Sequence, residues 1–347
     1  MPERRTTPLI AVKQTIPPMR PGAVSRPRLH TRLLAGSACR LTVVVAPAGW
    51  GKTTLLSQWA HDPAESRGII WVSLDETDDD PIRFWTYVLT ALQRGVSGLG
   101  DGLLGALCTP GLDPVDLALP ALLNDLNTLD TEHVLVLDDY HLLQHPGIHE
   151  SVEFFIGYLP PALRVVIAGR WDPPLPLARL RARGELNEIR AADLGFSLTE
   201  TGDLLSAVGY TSVDESTVTT LWEHTEGWAA ALQLAALTVR AHGIPAVVPT
   251  IGVHDRHTLD YLMSEVIDRL LPDQRELLVR TSVLERLSGP LCDYVLGRAG
   301  SAGLLRGSTA PTSSSYRLIR TASGTGAIGC FGTSCCMNFE SPTRPKK

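Results

Sequence analysis

The 347-residue sequence is poor in aromatics (6%), holds only six cysteines and contains no long apolar run. Each shortage excludes a class. A bilayer-spanning helix needs about 20 apolar residues, whereas the longest clean run here is LTVVVA, Leu41 to Ala46. The N-terminal MPERRTTPLIAVKQ has charge but no signal-peptide core, so export is not expected. The expected location is the cytoplasm, with no membrane partner. Cys39, Cys108, Cys292, Cys330, Cys335 and Cys336 are too sparse and irregular for a disulfide framework. The ten histidines show no His-Glu-x-x-His or Cys/His ligand spacing, and no metal other than Mg²⁺ is indicated.

What remains is a globular composition, 44% hydrophobic and 20% charged, with a net charge of −6. At roughly 150 residues per domain it can support two or three separate cores. Residues 1–300 hold 25 basic and 36 acidic side chains, while 301–347 hold six and one, a balance of −11 against +5. An acidic body argues against broad nucleic-acid coating.

Short β-branched runs alternate with helical stretches: LTVVVA (41–46), IIWVSL (69–74), HVLVLDD (133–139) and RVVIAG (164–169). That alternation predicts an α/β fold with a buried parallel sheet. PIRFWTYVLTAL has helical spacing, with Asp80 placed to cap it and Pro81 at its first position. After Arg190 the sequence shows no further strands. LTETGDLLSAVG, TVTTLWEHTEGWAAALQLAALTVRAHG and HTLDYLMSEVIDRLLPDQRELLVRTSVLERL each read as an amphipathic helix. GIPAVVPTIG (243–252) reads as a linker.

APAGWGKTT (46–54) follows the first strand and opens a helix, the context a phosphate-binding loop requires. Gly49 and Gly51 let the backbone curl so that its amides face phosphate oxygens. Lys52 supplies a point charge, the Thr53 hydroxyl can complete a Mg²⁺ shell, and the helix start adds partial positive charge. The first glycine of the usual pattern is replaced by Ala46. An ordinary strand-to-helix turn with a surface lysine is the plainer alternative.

The second element is VLVLDDYHLL (134–143), a strand ending in two carboxylates. Asp138 is placed to hold Mg²⁺, which prefers few protein carboxylates, and Asp139 to orient or deprotonate a water. Two aspartates ending a buried strand are the alternative. Arg170 ends RVVIAG at the edge where ligands of open sheets gather, as a γ-phosphate sensor or as an exposed strand-end arginine.

With these residues in place, the chain resembles the MalT-like, large LuxR-type ATP-binding transcriptional regulators of the STAND class of signal-transduction ATPases. The resemblance covers about residues 10–305 and is carried by SRPRLHTRL (25–33), VVVAPAGWGKTTLLSQWA (43–60), WVSLDETDDDPIRFWTYVLTAL (71–92), VLDDYHLLQHPGIHE (136–150), DPPLPLARLRARGELNEIRAADLGFSLTE (172–200) and TEGWAAALQLAAL (225–237). It implies a P-loop NTPase parallel sheet followed by helical and partial winged-helix modules. The division would be 1–40 as an extension with a nucleotide-closing strip, 41–195 as the ATPase domain, 196–245 as a helical domain, 246–306 as a partial winged helix and 307–347 as an aberrant tail. It further implies ATP/ADP and Mg²⁺ as ligands. Phosphate binding falls to Gly49, Gly51, Lys52, Thr53 and Thr54, Mg²⁺ to Thr53 and Asp138, water activation to Asp139 and sensing to Arg170. Arg26 and Pro27 match the strip over the adenine, or are no more than a packed extension. Where many related ATPases carry Gly-x-Pro, this chain has Gly227, Trp228 and Ala229.

Several signals are discounted. DETDDD (75–80) reads as a solvated loop and helix cap rather than a Ca²⁺ loop. His141, His145 and His149 read as a helix surface, and the arginines of ARLRARGELNEIR (178–190) as a solvated helix face. GTGAIG (324–329) matches a dinucleotide fingerprint by spelling alone.

From Gly307 onward 18 of 41 residues are Ser, Thr or Gly, and no helical or strand period survives. A flexible tail and a cluster of Cys330, Cys335 and Cys336 are two readings. A third is a single-base frameshift near Leu305 or Arg306, because codons compatible with this stretch, read one nucleotide earlier, can spell RVDSANLFLVPLDPNGKWY, similar to the winged-helix continuation of the family. On that reading the sensor repeats and the DNA-reading domain are missing, and DNA would be met only through a C-terminal domain absent here. The expected function is an ATP-binding switch with slow hydrolysis, whose ATP state self-associates in an intact protein. A P-loop phosphotransferase acting on a small molecule and a non-hydrolysing nucleotide-binding module are the alternatives.

Overall fold

The computed structural model describes residues 9–96, 98–100, 102–107, 114–210, 214–242, 272–281, 284 and 286–307, together with strands at 316–320, 326–330 and 337–339. Contacts divide the chain into two units, the first comprising 1–20, 26–45 and 52–189, the second 21–25, 46–51 and 190–347.

The first unit is built on β1 (Leu41–Val45), β2 (Gly68–Ser73), β3 (His133–Asp138), β4 (Leu163–Gly169) and β5 (Leu186–Arg190), in the order β2-β3-β4-β1-β5. Pairing is parallel from β2 through β1, with Ser73 opposite Asp138, Leu137 opposite Ile167 and Val45 opposite Gly169. Every residue of β1 and β3 is buried. Both faces of these strands are covered, which is why they read as continuous apolar runs instead of alternating ones. β4 separates β1 from β3, so Val45 and Asp138 end strands that stand two apart in the sheet.

Helices α1 (Pro27–Ala35), α2 (Lys52–Ala60), α3 (Pro81–Gly95), α4 (Leu103–Leu107), α5 (Pro114–Leu126), α6 (Pro146–Gly157) and α7 (Leu177–Ala182) complete this unit. The Asp80 carboxylate accepts the Arg83 amide at 2.9 Å and Pro81 opens α3, as the sequence predicts. The apolar face of α3 carries Phe84, Trp85, Val88 and Leu92 into the main core. Trp85 meets Phe155 of α6 edge-on at 5.3 Å and donates its indole N–H to Ser151 Oγ at 2.8 Å, which satisfies the one polar atom of a buried ring.

The structure departs from three of these expectations. The arginines of 178–190 form a solvated helix face only in part: Arg179 and Arg181 are exposed on α7 and Arg183 at its end, but α7 stops at Ala182, Gly184 takes φ +69°, and the chain continues as β5, with Ile189 fully buried and Arg190 at its end. The acidic run 75–80 caps a helix but is not all solvated, since Asp78 is fully buried between Lys13 and Arg83. The three histidines do not share a helix surface: His141 is buried edge-on to Trp171 and His145 caps α6 by accepting the Gly147 amide.

In the second unit, α8 (Ala191–Leu194), α9 (Leu198–Ala207), α10 (Glu215–Thr225) and α11 (Ala229–His242) come first. Val24, Leu204, Leu205, Leu221, Leu232 and Ala236 form their shared core. The stretch read as one helix from Thr217 is two, because Glu226 and Gly227 turn left-handed at φ 50° and 75°. A side chain at Gly227 would put its Cβ 2.5 Å from the Phe196 carbonyl oxygen, and the Gly227 oxygen accepts the Phe196 amide at 2.8 Å, so only glycine fits. Ser197 and Glu200 cap α9 reciprocally, each side chain accepting the other's amide at 3.1 and 3.0 Å. Ser197→Ala should therefore lower the stability of this unit by about 1 kcal/mol, read as a lower denaturation midpoint for the α9–α11 signal.

Further on lie α12 (Pro272–Thr281), α13 (Gly289–Leu296) and α14 (Ser301–Gly307). Strands β6 (Arg286–Leu287), β7 (Tyr316–Arg320), β8 (Gly326–Cys330) and β9 (Met337–Phe339) form an antiparallel sheet in that order. Strands after Arg190 and beyond Gly307 were not legible in the sequence. An antiparallel ladder is made by backbone groups, so a Ser/Thr/Gly-rich segment can pair without an apolar period. GTGAIG accordingly lies partly on β8, not between a strand and a helix. The linker 243–252, the helix start at 257–271 and Cys335 and Cys336 lie outside the described residues.

Candidate functional site

The phosphate loop leaves β1 at Val45 and enters α2 at Lys52. Gly49 and Gly51 sit at φ +76° and +80°, a left-handed region open to glycine without strain. Alternating such residues with right-handed or extended ones turns successive amides toward one side, the geometry of an anion nest.

The first unit gathers the charged groups. Thr53 Oγ1 donates to Asp138 Oδ2 at 2.8 Å, and the Asp139 amide donates to Asp138 Oδ1 at 3.0 Å. Asp138 is 2% exposed. Burial, joined by the charge of Asp139, pushes its carboxyl up to about 6 against the pull of Thr53, the Asp139 amide and Lys52. Lys52 shows the mirror situation: burial brings its ammonium down to about 8, Asp139 and Asp138 hold it up, and Arg170 pushes it further down. Arg170, which follows the last residue of β4, is thus within electrostatic reach of Lys52.

Asp139 differs from its neighbour. Its backbone is left-handed at φ 58°, uncommon for a residue with a side chain. Its carboxylate is 46% exposed and stands 3.8 Å from His141 Nδ1. The pair therefore divides into one buried acid tied to Thr53 and one accessible acid held in a strained turn, the kind of strain that gathers at functional sites. Thr54 follows on α2, half-buried.

Both buried groups are pushed toward their neutral forms, the ammonium lowered and the carboxyl raised. A polyphosphate carrying a divalent ion would favour the charged form of each, so the residues fit Mg²⁺-nucleotide. Arg26 and Pro27 start α1: Arg26 is 3% exposed, its carbonyl accepts the Leu29 amide at 3.0 Å, and Pro27 takes the first helical position.

Within the second unit, loop residues 46–51 are held by groups the sequence reading did not select. Trp228 Nε1 donates to the Ala48 carbonyl at 3.2 Å, the Ala230 amide donates to the Gly49 carbonyl at 2.9 Å, and Trp50, 3% exposed, packs against Gly195. The signal in the sequence was Gly227, Trp228 and Ala229, where Ala229 stands in place of the proline of Gly-x-Pro.

A parallel α/β sheet with this loop, a strand-tip acid pair and an intervening strand defines a P-loop ATPase. The AAA domain family matches residues 35–169, which implies nucleotide binding, and the MalT winged helix domain matches residues 263–310. The HTH-type transcriptional regulator MalT of Yersinia enterocolitica is 34% identical over 292 residues, covering 83% of this chain and 32% of the relative. MalT of Yersinia pestis is 32% identical over 300 residues, covering 86% and 33%. In fold, the chain is similar to a Walker-type ATPase of Pyrococcus abyssi, with a TM-score of 0.55 at 15% identity over 90% of this chain and 96% of that one. The chain is thus a MalT-like P-loop ATPase module with a match to the MalT winged-helix domain. It spans about a third of the length of the curated relatives it matches. Among the described residues no helix is long and apolar enough to cross a membrane.

Proposed function

We propose that this P-loop ATPase module works as a nucleotide-controlled switch that binds Mg²⁺-ATP, hydrolyses it slowly and holds a different state with ADP. The observation that carries the reading is the pair of buried, oppositely shifted groups, Lys52 brought down to about 8 and Asp138 pushed up to about 6, with Asp138 tied to Thr53 next to Lys52. Lys52 and the amides of Gly49, Gly51, Thr53 and Thr54 would hold the phosphates. Thr53 and Asp138 would hold Mg²⁺, which when bound neutralises charge on the β- and γ-phosphates. Asp139, accessible and next to the buried acid, would orient the attacking water and accept its proton. Arg170 would face the γ-phosphate. Arg26 and Pro27 are proposed on the base side, where the burial of Arg26 serves a packed role equally well.

The relatives' designation as transcriptional regulators supports placing this switch in a cytoplasmic regulator. Self-association in the ATP state and DNA contact through a separate helix-turn-helix domain are proposed for the whole protein of this family. Calorimetric titration of the chain with ATP and ADP in Mg²⁺, followed by turnover with and without small-molecule acceptors, tests the reading. Saturable uptake with slow, acceptor-independent phosphate release is expected. No uptake by monodisperse protein would refute it, and acceptor-dependent turnover would favour a phosphotransferase.

A further inference from the structure

We infer that Trp228 and the first turn of α11 are positioning elements for nucleotide binding, acting by gripping the outward-facing carbonyls of the phosphate loop. The inference rests on the phosphate-loop reading above and adds what aims the loop.

A trans peptide is planar, with its C=O and the following N–H pointing in opposite directions. Fixing the Ala48 carbonyl therefore fixes where the Gly49 amide points, and fixing the Gly49 carbonyl does the same for the Trp50 amide. The two carbonyls are held by two donors from one short segment, the Trp228 indole at 3.2 Å and the Ala230 amide at 2.9 Å. Both donors come from the segment 228–230, so each of the two following amides is turned away from it.

The fit is steric as well as polar. A Cβ built on Gly49 would lie 2.8 Å from Trp228 Nε1 and 2.8 Å from the Ala230 Cβ. Gly49 thus has a second constraint besides its positive φ, the close seat of α11. Trp228 is 4% exposed, and its own carbonyl accepts the Leu232 amide at 3.0 Å, so the indole is carried on the first turn of α11 and not on a free loop. Upstream, Gly227 can only be glycine because Phe196 backbone atoms fill the space of a side chain. The segment 226–230 is therefore shaped to deliver one indole N–H and one backbone N–H to adjacent carbonyls.

The consequence is coupling. When the grip is made, Gly49 and Trp50 amides are pre-aimed and a phosphate meets an ordered nest. When phosphate orders the loop, the carbonyls are in turn presented to α11, so nucleotide and helical segment stabilise each other's seats by the same free energy. Trp228 need not touch the nucleotide for this.

The test uses the full chain. Trp228→Phe keeps an aromatic ring and removes the indole N–H. It should weaken ADP binding by about three- to tenfold, the worth of one hydrogen bond, and speed amide exchange in 46–51, with the unliganded melting temperature little changed. A merely structural role would move melting and leave affinity and loop exchange alone. In the unmodified chain, ADP should protect 46–51 and 228–232 from hydrogen exchange together, which needs no variant to fold. Protection of the loop alone, or unchanged ADP affinity in Trp228→Phe, overturns the grip while leaving the nucleotide reading intact. Absence of ADP uptake by the unmodified chain would overturn both.

Discussion

Replacing Lys52 by alanine should lower nucleotide affinity on the order of 100-fold without lowering the melting temperature of the unliganded protein. The two halves of that expectation have one cause. Lys52 is 8% exposed, and burial brings its ammonium down to about 8 although two carboxylates lie near it. Without nucleotide the buried charge is thus held at a cost, and its removal relieves that cost. In the complex the same poorly solvated charge faces phosphate, and truncating one partner of a buried charge pair costs about 2–5 kcal/mol, of which 2.7 kcal/mol corresponds to 100-fold. Calorimetry gives the affinity and thermal unfolding the stability. Unchanged affinity would show that this lysine is not at the phosphates. A large fall in melting temperature would show that its role is structural.

The parts of the molecule that were legible in the sequence are those whose cause is local. β1 and β3 announce themselves because burial on both faces demands unbroken β-branched runs, and α3 because Asp80 and Pro81 stand together at its start. The phosphate loop is legible because its geometry is set by glycines within one turn. What was missed depends on partners far along the chain. LNEIR becomes a strand through its place beside β1, and its five residues include only one fully buried side chain. Trp228 reaches a carbonyl 180 residues away. No window of sequence contains both ends of such a contact. The roles of Arg26 and Pro27 have the same difficulty, since a helix start and a base-side strip can be written with the same residues.

The two acid clusters make the contrast sharper. Asp138 and Asp139 end a strand and look like a site, while DETDDD looks like a charged surface. Burial separates them differently from appearance, because Asp78 at 0% exposure is enclosed even more completely than Asp138 at 2%. Asp138 is held by a hydroxyl and an amide and is pushed up to about 6, whereas Asp78 is clamped by two cations. A buried acid neutralised by cations of the chain is structural, and one pushed toward its neutral form is a candidate ligand.

Asp78→Ala is accordingly expected to destabilise the first unit by about 3–5 kcal/mol, the cost of breaking a buried pair from one side. The Asp78 carboxylate accepts from Lys13 Nζ at 2.6 Å, Arg83 Nε at 3.0 Å and the Asp75 amide at 3.0 Å. Its loss leaves the Lys13 ammonium, 9% exposed, with the half-exposed Asp75 as its carboxylate partner and breaks the bridge from Lys13 to Arg83 of α3. Burial alone would lower the Lys13 value, but hydrogen bonds and charge from Asp75 and Asp78 outweigh it and raise the group above 10.5. A base held above its unfolded value contributes its full stabilisation below that value and loses it only as pH rises past the raised one. The defect of Asp78→Ala should therefore be as large at pH 6 as at pH 8 and shrink only in strong alkali. Urea unfolding at those pH values measures it. Adding Lys13→Met to Asp78→Ala should recover part of the loss, since the stranded charge is then gone. A single-variant loss below 1 kcal/mol would return the acidic run to the solvated surface that its composition suggests.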